Sequence, residues 1–378
     1  FRCGVEVGRD VTIPQLREQG FLAFYIAIGC QGGRLPGVPG EHAAGTDIAV
    51  HFLHEALADE NQHMDGRVVV IGGGNVAVDC ARTAVRFGAE AVSMVCLESR
   101  DTMPASKDEI AEAEEEHIEI HTGWGPKELL QDESGHVTAV VFKKCLRTID
   151  PETGKFAPVY DEAETITLPA DHVVFAIGQA IEWGGLLKDT KVTFHRGNYP
   201  VADPLTYQTA EADIFVGGDV YHGPKFVIDA IEEGKCAAES LHRYVHKGAS
   251  LTIGRNRRDF VMLDKENFSV NCYDHATRQT EAVDPAVEAH SFRDARKTLT
   301  SEQVQTETAR CLGCGASWVD PNKCIGCGVC TTKCVFDAIH LKRDHPECST
   351  MMKAEDKLKG IASMACKRLG QTLRGRKG

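Results

Sequence analysis

The segment from residue 67 to residue 98 constrains the fold more than any other part of the sequence. The apolar run VVVI leads into the glycine-rich turn GGGNVA, and the residues that follow have the apolar spacing of a helix. A second strand-like segment, AVSMVCLE, comes next. A strand, a crossover helix and a second strand form the βαβ unit of a parallel sheet. The sequence therefore predicts an α/β fold.

The turn between this strand and helix matches the fingerprint G-x-G-x-x-G/A. Gly72 permits the tight turn, Gly74 lets the backbone approach a pyrophosphate, and the small Ala77 lets the helix pack closely against the sheet. The helix that begins at Asn75 presents free N–H groups and a partial positive charge to phosphates. We therefore predict a dinucleotide at this turn. The structural alternative is a glycine turn in an α/β domain that binds no ligand.

Two residues after the second strand bear on which dinucleotide binds. Glu98 lies where an acidic residue would accept a hydrogen bond from a ribose 2′-hydroxyl. A carboxylate there repels a 2′-phosphate, which favours NAD(H) over NADP(H). Arg100 lies two residues further on and offers a 2′-phosphate a positive charge instead. The balance favours NADH.

Three strand ends suggest a flavin, because they recur in this order in flavoproteins that bind two dinucleotides. They are the segments AFYIAIG, VVFAIGQ and DIFVGGDV, the last of which precedes a long helix. Each alone is an ordinary strand end. A separate strand is expected over Cys3–Val7. Asp219, between the last of these strands and the helix, can accept a hydrogen bond from a ribityl hydroxyl. The cofactor-binding candidates here are Gly29, Gly178, Gln179, Gly218, Asp219 and Lys225.

The cysteines cluster at the end of the chain, where eight of the fifteen fall from Cys311 onward. Four of them have the C-x2-C-x2-C-x3-C spacing of bacterial ferredoxins, with Val335 where a proline usually follows. Zinc is the alternative, since C-x2-C pairs suit it, but three such cysteines in a row do not. The candidate ligands are Cys311, Cys314, Cys324, Cys327, Cys330, Cys334, Cys348 and Cys366.

Eight cysteines suffice for two [4Fe–4S] clusters. In ferredoxin runs the fourth cysteine binds the other cluster. We therefore expect the first three cysteines of the run and one remote cysteine to hold one cluster. The fourth would join Cys311, Cys314 and the remaining remote cysteine in a second. One cluster with spectator thiols stays open, since Ser317 stands where a third closely spaced cysteine would follow Cys314.

At this point the sequence resembles a known family. The strings IGGGNVAVDCARTAVRFGAEAVSMV, SRDTMPAS, FAIGQ and VGGDVYHGPKFVIDAIEEGKCAAESL resemble the FAD- and pyridine-nucleotide-dependent small (β) subunit of glutamate synthase and its relatives. These include the large subunits of electron-bifurcating transhydrogenases of anaerobes. The resemblance implies two Rossmann-like domains, one inserted in the other. It gives an FAD-binding domain at 1–61 and 181–248, an NAD(P)H-binding domain at 62–180, an extended linker at 249–299 and a ferredoxin-like [4Fe–4S] domain at 300–378.

The chain departs from the family in two ways. The first FAD fingerprint near the N-terminus is absent, so we expect the pyrophosphate half of the FAD site to come from residues outside this sequence. Leu97 and Glu98 stand where NADPH-using members carry an arginine pair, which puts NADP specificity in doubt. No C-x-x-C occurs before Cys311, so the dithiol chemistry of disulfide reductases has no candidate pair.

The expected function is electron transfer from NAD(P)H through FAD to [4Fe–4S] clusters. The electrons would then pass to ferredoxin or another redox subunit in a hetero-oligomeric complex, of a kind that can include electron bifurcation. A net charge of −13 argues against nucleic-acid binding. No apolar run approaches the ~18 residues of a membrane span, and no secretion signal is evident, so a cytoplasmic location is expected. From Ser349 onward the chain is basic, which suits a solvated terminus or docking onto an acidic partner.

Two other functions compete with this one. A glutamate synthase β subunit would pass electrons to a glutamine-using partner, but relatives of that kind usually place their clusters before the flavin domain. A non-catalytic electron-transfer subunit would have lost its flavin. No acid–base residue is required for hydride transfer, so the sequence predicts no general acid or base.

Overall fold

The computed structural model describes residues 1–59, 62–195, 197–246, 248–255, 276–284, 291–293, 296–311, 319–320, 324–334, 338–342 and 356–374. The chain divides into two compact units, Phe1–Glu307 and Thr308–Gly378. Each unit is described by itself.

The described residues form twelve strands and nine α-helices. The strands are β1 (Phe24–Ile26), β2 (Gly32–Gly33), β3 (Thr46–Ile48), β4 (Arg67–Ile71), β5 (Ala91–Cys96), β6 (Glu119–Thr122), β7 (Trp124–Gln131), β8 (Val137–Ile149), β9 (Phe156–Pro169), β10 (His172–Phe175), β11 (Gln179–Ala180) and β12 (Ile214–Val216). The helices are α1 (Ile13–Glu18), α2 (Ala49–Ala58), α3 (Asn75–Arg86), α4 (Lys107–Glu115), α5 (Asp219–His222), α6 (Val227–Val245), α7 (Ser301–Ala309), α8 (Val329–Lys333) and α9 (Lys357–Arg374). A short 3-10 helix covers Arg100–Thr102.

A five-stranded parallel sheet forms the centre of the first unit, in the order β3-β10-β4-β5-β6. On one face, α2, α3 and α4 pack against it through small and apolar residues such as Phe52 and Ala81. On the other face lies the antiparallel sheet β7-β8-β9, which contributes Val140 and Phe142 to a second core. Because both faces are covered, Val68 to Ile71 are buried, as a parallel sheet requires.

A second, smaller core lies around two parallel strands, β1 and β12, which pair from Phe24↔Ile214 to Ile26↔Val216. Ile13 on α1 and both strands bury their side chains in it, and α6 packs along them. The strand expected over Cys3–Val7 does not form, because Val7 makes only an isolated bridge with Val11.

The chain passes between these two cores twice, at β2 and β11. These two-residue strands pair antiparallel, with Gly33 opposite Gln179. A Cβ on Gly33 would lie 2.8 Å from the Ile48 side chain, so the crossing needs a glycine there. β3 pairs with β10 in the five-stranded sheet and α2 packs on that sheet, although both precede residue 62, where we predicted the nucleotide domain to begin. The exact domain boundaries stay a prediction.

Part of the predicted linker packs against the C-terminal end of α3. Phe292 packs on Phe87 with ring centroids 5.4 Å apart, and the Arg86 Nε donates to the Ser291 carbonyl at 3.0 Å. The described residues of 249–299 contain no helix or strand, and the extended linker stays a prediction. Across the described helices, none is long and apolar enough to cross a membrane.

Candidate functional site

A cavity of about 780 Å³ opens at the carboxyl ends of β4, β5 and β10. Ligands of open parallel sheets bind at this edge, where the strand order reverses. The cavity brings together six of the predicted residues, which are Gly72, Gly74, Asn75, Glu98, Gly178 and Gln179. Ala77 and Arg100 do not line it, and the other predicted cofactor residues, Gly29, Gly218, Asp219 and Lys225, follow the strands of the smaller core.

The glycine turn has the geometry that its sequence predicts. Gly72 has φ +152°, and a Cβ there would lie 2.4 Å from the Ala176 carbonyl oxygen. A Cβ on Gly74 would meet nothing within 4 Å, so the chain is open to the cavity at this point. Gly74 is also the N-cap of α3, and no side chain caps that helix. The first N–H groups of α3 are therefore left for an anion in the cavity.

Neighbouring residues hold this turn in place. The Ala105 N–H donates to the Gly73 carbonyl at 3.0 Å, and the Ser106 N–H donates to Asn75 Oδ1 at 2.9 Å. Ala77 is fully buried at the contact between α3 and the sheet. Asn75 thus contributes by fixing the start of α4 beside the start of α3, and Ala77 contributes by its small size.

The two residues that bear on nucleotide choice are in different environments. Glu98 is half-buried and lines the cavity, with Oε2 3.1 Å from the position of a Cβ on Gly73. Arg100 lies outside the cavity lining and forms an ion pair with Glu114 of α4, at 2.6 Å between Nη2 and Oε2. The Glu98 carboxylate therefore faces the cavity, while the Arg100 guanidinium is paired with the Glu114 carboxylate outside it.

The antiparallel sheet forms a wall of the cavity that our sequence analysis did not anticipate. Trp124, Lys143 and Tyr160 line it. The Lys143 Nζ lies 4.4 Å from the centre of the Tyr160 ring, and also bonds Glu162 Oε1 at 2.7 Å. The sequence indicates β-structure over residues 137–146 and 156–168, but nothing in it shows that these strands face the glycine turn.

In the smaller core, the two predicted strand ends lie side by side. Gly29 follows β1 and Gly218 follows β12, with φ +70° and +71°, so both turns use the left-handed region that favours glycine. Asp219 comes directly after Gly218, and its Oδ1 accepts the Lys225 N–H at 3.3 Å. The Lys225 side chain is exposed.

A buried carboxylate that sequence reasoning missed supports this turn. Glu233 of α6 is only 5% exposed, and its Oε2 accepts the Gly218 N–H at 2.5 Å. Its other oxygen lies 2.5 Å from His222 Nδ1. The Glu233 charge also acts on the phenol of Tyr207. Burial is the main cause that raises the pKa of Tyr207 to about 12, and the Glu233 charge adds to it. Glu233 therefore fixes the backbone immediately before Asp219.

The first turn of α6 leaves apolar side chains exposed beside this turn. Phe226, Val227 and Ile228 are 72%, 76% and 69% exposed. Soluble surfaces rarely leave three consecutive large apolar side chains uncovered, so the edge of this core suits an apolar ring system or another chain segment.

In the second unit, the four cysteines of the ferredoxin-like run are described. Cys324, Cys327 and Cys330 are exposed and Cys334 is half-buried. Gly326 and Gly328 have φ of +67° and +78°, so the loop between these cysteines turns tightly. Among the described residues, no group of three or more His, Cys, Asp or Glu side chains is placed to hold a metal ion. Cys314 and Cys348 lie outside the described residues, and the assignment of ligands to clusters stays a prediction.

Comparison with known proteins identifies the family. Residues 8–234 match the family described as pyridine nucleotide-disulphide oxidoreductase. The chain belongs to this family. Residues 317–340 match the 4Fe-4S binding domain, which covers the cysteine run. The resemblance and the fold class inferred from sequence are confirmed, as are the flavoprotein, NAD(P)-binding and iron–sulfur character of the chain.

Several curated proteins are similar to this oxidoreductase. The β subunit of the NADP(+)-dependent formate dehydrogenase of Moorella thermoacetica is 32% identical and covers 83% of this chain. The glutamate synthase (NADPH) small chain of Halomonas elongata is 32% identical over 65%. The NADPH-Fe(3+) oxidoreductase subunit β of Geobacter sulfurreducens is 27% identical over 82%. The chain spans about half the length of these relatives, at 45%, 54% and 50%.

Solved structures show the same fold. The structure of FprA, a Mycobacterium tuberculosis oxidoreductase, aligns with a TM-score of 0.51 and 18% identity, over 64% of this chain and 67% of that one. At this identity the likeness concerns the fold alone.

The family name includes disulfide chemistry, but the described cysteines of the nucleotide half do not suit it. Cys96 lines the cavity, and burial raises the pKa of its thiol to about 12. Burial likewise raises the pKa of Cys80. A thiol reacts as the thiolate, so both side chains are inert apolar groups at neutral pH.

Proposed function

We propose that this chain is an NAD(P)H-dependent FAD/iron–sulfur oxidoreductase subunit that passes electrons to ferredoxin or to a partner subunit. The observation that carries the proposal is the cavity at the uncapped N-terminus of α3, where the half-buried Glu98 faces the same space. A dinucleotide needs both features, an anion site for its pyrophosphate and an acceptor for its ribose.

The residues of the cavity fit a pyridine nucleotide. The first N–H groups of α3 would bind its pyrophosphate, and the missing side chain of Gly74 leaves room for close approach. Glu98 would accept a hydrogen bond from the 2′-hydroxyl of NADH and repel the 2′-phosphate of NADPH. We therefore propose NADH as the preferred substrate.

The residues of the smaller core fit part of an FAD. Asp219, held by the Gly218 turn and Glu233, would accept a hydrogen bond from the ribityl chain. The exposed apolar residues that begin α6 would be covered by the ring system. When bound, the nicotinamide supplies a hydride and the flavin passes its electrons on one at a time.

The cysteine run would hold a [4Fe–4S] cluster from which electrons leave the chain, and we propose a second cluster that uses the remaining cysteines. The family resemblance and these oxygen-sensitive clusters suit a multi-subunit complex of an anaerobe, which can include electron bifurcation. The formate dehydrogenase and Fe(3+) oxidoreductase relatives align with 83% and 82% of this chain, which is more than residues 1–299 contain. Their similarity therefore extends into the predicted ferredoxin-like domain at 300–378. Relatives that share part of this domain support the proposal over a glutamate synthase β subunit.

The function is tested by closing the space next to Gly74. Gly74 has an ordinary φ of −94° and open space around its missing side chain, so Gly74→Val should leave the melting temperature unchanged. The valine would block the approach of a pyrophosphate. We expect the variant to keep its flavin and lose anaerobic reduction of that flavin by NADH, both followed by absorbance. Equal reduction rates in wild type and variant would refute the proposed site.

A further inference from the structure

Arg34 is a basic residue of the cavity that neither the sequence analysis nor the comparisons single out. Two basic side chains, Arg34 and Lys143, line the cavity. Lys143 is neutralised by Glu162 at 2.7 Å. Arg34 has no ion pair within the described part of the chain, and its residue is exposed. The cavity therefore contains one positive charge that has no protein counter-ion among the described residues.

The position of Arg34 follows from the crossing between the two cores. It comes directly after β2, and its N–H donates to the Gly178 carbonyl at 3.2 Å. Its Cδ lies 3.5 Å from the position that a Cβ on Gly178 would occupy. The side chain thus lies over the carboxyl end of β10, which is the neighbour of β4 in the sheet. The glycine turn and α3 follow β4, so the guanidinium and the α3 N-terminus share one cavity.

The charges in this cavity explain what such an arginine would bind. A pyrophosphate carries about two negative charges at neutral pH, whereas a helix N-terminus supplies only about half a positive charge. Glu98 adds another negative charge to the same space. An arginine is suited to neutralise the remaining negative charge of the pyrophosphate, because its planar guanidinium can donate two parallel hydrogen bonds to phosphate oxygens.

We propose that Arg34 binds the pyrophosphate of the pyridine nucleotide, from the connection between the two cores and facing the N-terminus of α3. This inference rests on the proposed function, since it assigns a residue to the same site. It also places a substrate contact on the segment that joins the nucleotide half to the flavin half.

The test measures binding of ADP-ribose, which contains the pyrophosphate but no nicotinamide, to the flavin-loaded full-length protein by calorimetry. Arg34→Gln should weaken this binding about 10- to 100-fold, the usual effect of losing a charge-assisted hydrogen bond. Arg34→Lys keeps the charge without the planar fork, so it should lose less. Adenosine, which lacks phosphates, should bind wild type and Arg34→Gln equally.

The matched control is Arg147→Gln. Arg147 is an exposed arginine of β8 that does not line the cavity. This change therefore removes one positive charge outside the cavity. We expect wild-type affinity for ADP-ribose in this control. Raising the salt concentration should weaken binding to wild type more steeply than binding to Arg34→Gln, because screening acts on the lost contact.

Three results would overturn the inference in distinguishable ways. Unchanged ADP-ribose affinity in Arg34→Gln would show that the arginine does not contact the pyrophosphate. Loss of bound FAD with unchanged ADP-ribose affinity would assign Arg34 to a flavin phosphate instead. Failure of the wild type itself to bind ADP-ribose would refute the proposed nucleotide site and the role of Arg34 together.

Discussion

At the scale of single residues, the acidic and the basic side chain near the proposed nucleotide site are in different environments. Glu98 faces the cavity, whereas the ion pair between Arg100 and Glu114 occupies the nearby guanidinium. A 2′-phosphate in the cavity would be repelled by the Glu98 carboxylate, and the Arg100 guanidinium that could attract it is paired with Glu114. This arrangement is the basis on which we propose NADH, which carries a hydroxyl at that position, as the preferred dinucleotide.

Glu98→Arg should reverse the preference between the two nicotinamide cofactors. The change removes a repulsion from the 2′-phosphate and adds an attraction to it. We therefore expect the ratio of kcat/KM for NADH to that for NADPH to fall by more than about tenfold. Glu115→Arg, an exposed α4 residue outside the cavity lining, is the control. An unchanged ratio would show that Glu98 does not contact the ribose.

The residues that could be predicted from sequence are those whose role is local. Gly72 and Gly74 act through their own backbone, so the fingerprint identifies them. Glu233 of α6 supports a glycine at the end of β12, and Arg34 lies over the distant Gly178. Such contacts depend on how separate segments come together, and no spacing in the sequence encodes them.

At the scale of elements, one ion pair connects the starts of two neighbouring strands of the central sheet. Asp171, just before β10, accepts hydrogen bonds from the Arg67 N–H and side chain of β4 at 2.8 to 2.9 Å. These bonds hold the pKa of Asp171 below its ordinary value. Both side chains are more than a third exposed, so solvent weakens the pair.

The lowered pKa of Asp171 predicts how stability depends on pH. A depressed carboxyl pKa contributes stability above the unfolded-state value of about 3.9, and that contribution is lost as the pH falls towards the folded-state pKa. In Asp171→Asn, the free energy of unfolding should therefore fall less between about pH 5 and pH 2 than in wild type. Urea unfolding measured across this range checks the prediction. Asp101→Asn, a change at an exposed carboxylate of the short 3-10 helix, should follow the wild-type curve.

Elements with strong patterns were predicted well. β4, α3, β5 and β10 lie where their apolar periodicity places them. The sequence also indicates a helix that begins after Ser106 and runs to His117, and α4 follows it from Lys107 but ends at Glu115, because His117 adopts φ +63°. The strand expected at Cys3–Val7 is absent because a strand needs a neighbouring strand to pair with, and Val7 makes a single isolated bridge with Val11.

At the scale of the whole molecule, the number of clusters decides how the C-terminal cysteines are used. Two clusters predict about eight irons with one FAD per chain, measured with acid-labile sulfide and zinc on anaerobically purified full-length protein. Cys311→Ser should then remove about four irons while the flavin stays. A wild-type content of about four irons would instead assign Cys311 and Cys314 a structural role, and zinc without sulfide would contradict the redox function.

Because β2 pairs with β11, the segment from residue 33 to residue 179 begins and ends at the same place in the fold. Its entry at Gly33 and its exit at Gln179 lie opposite each other in the same two-stranded ladder. Everything between them can therefore be replaced by an equivalent segment without changing the distance that the flanking chain must bridge. Under the proposed function, recombination at these two points would change the nucleotide site and leave the residues proposed for the flavin and the clusters in place.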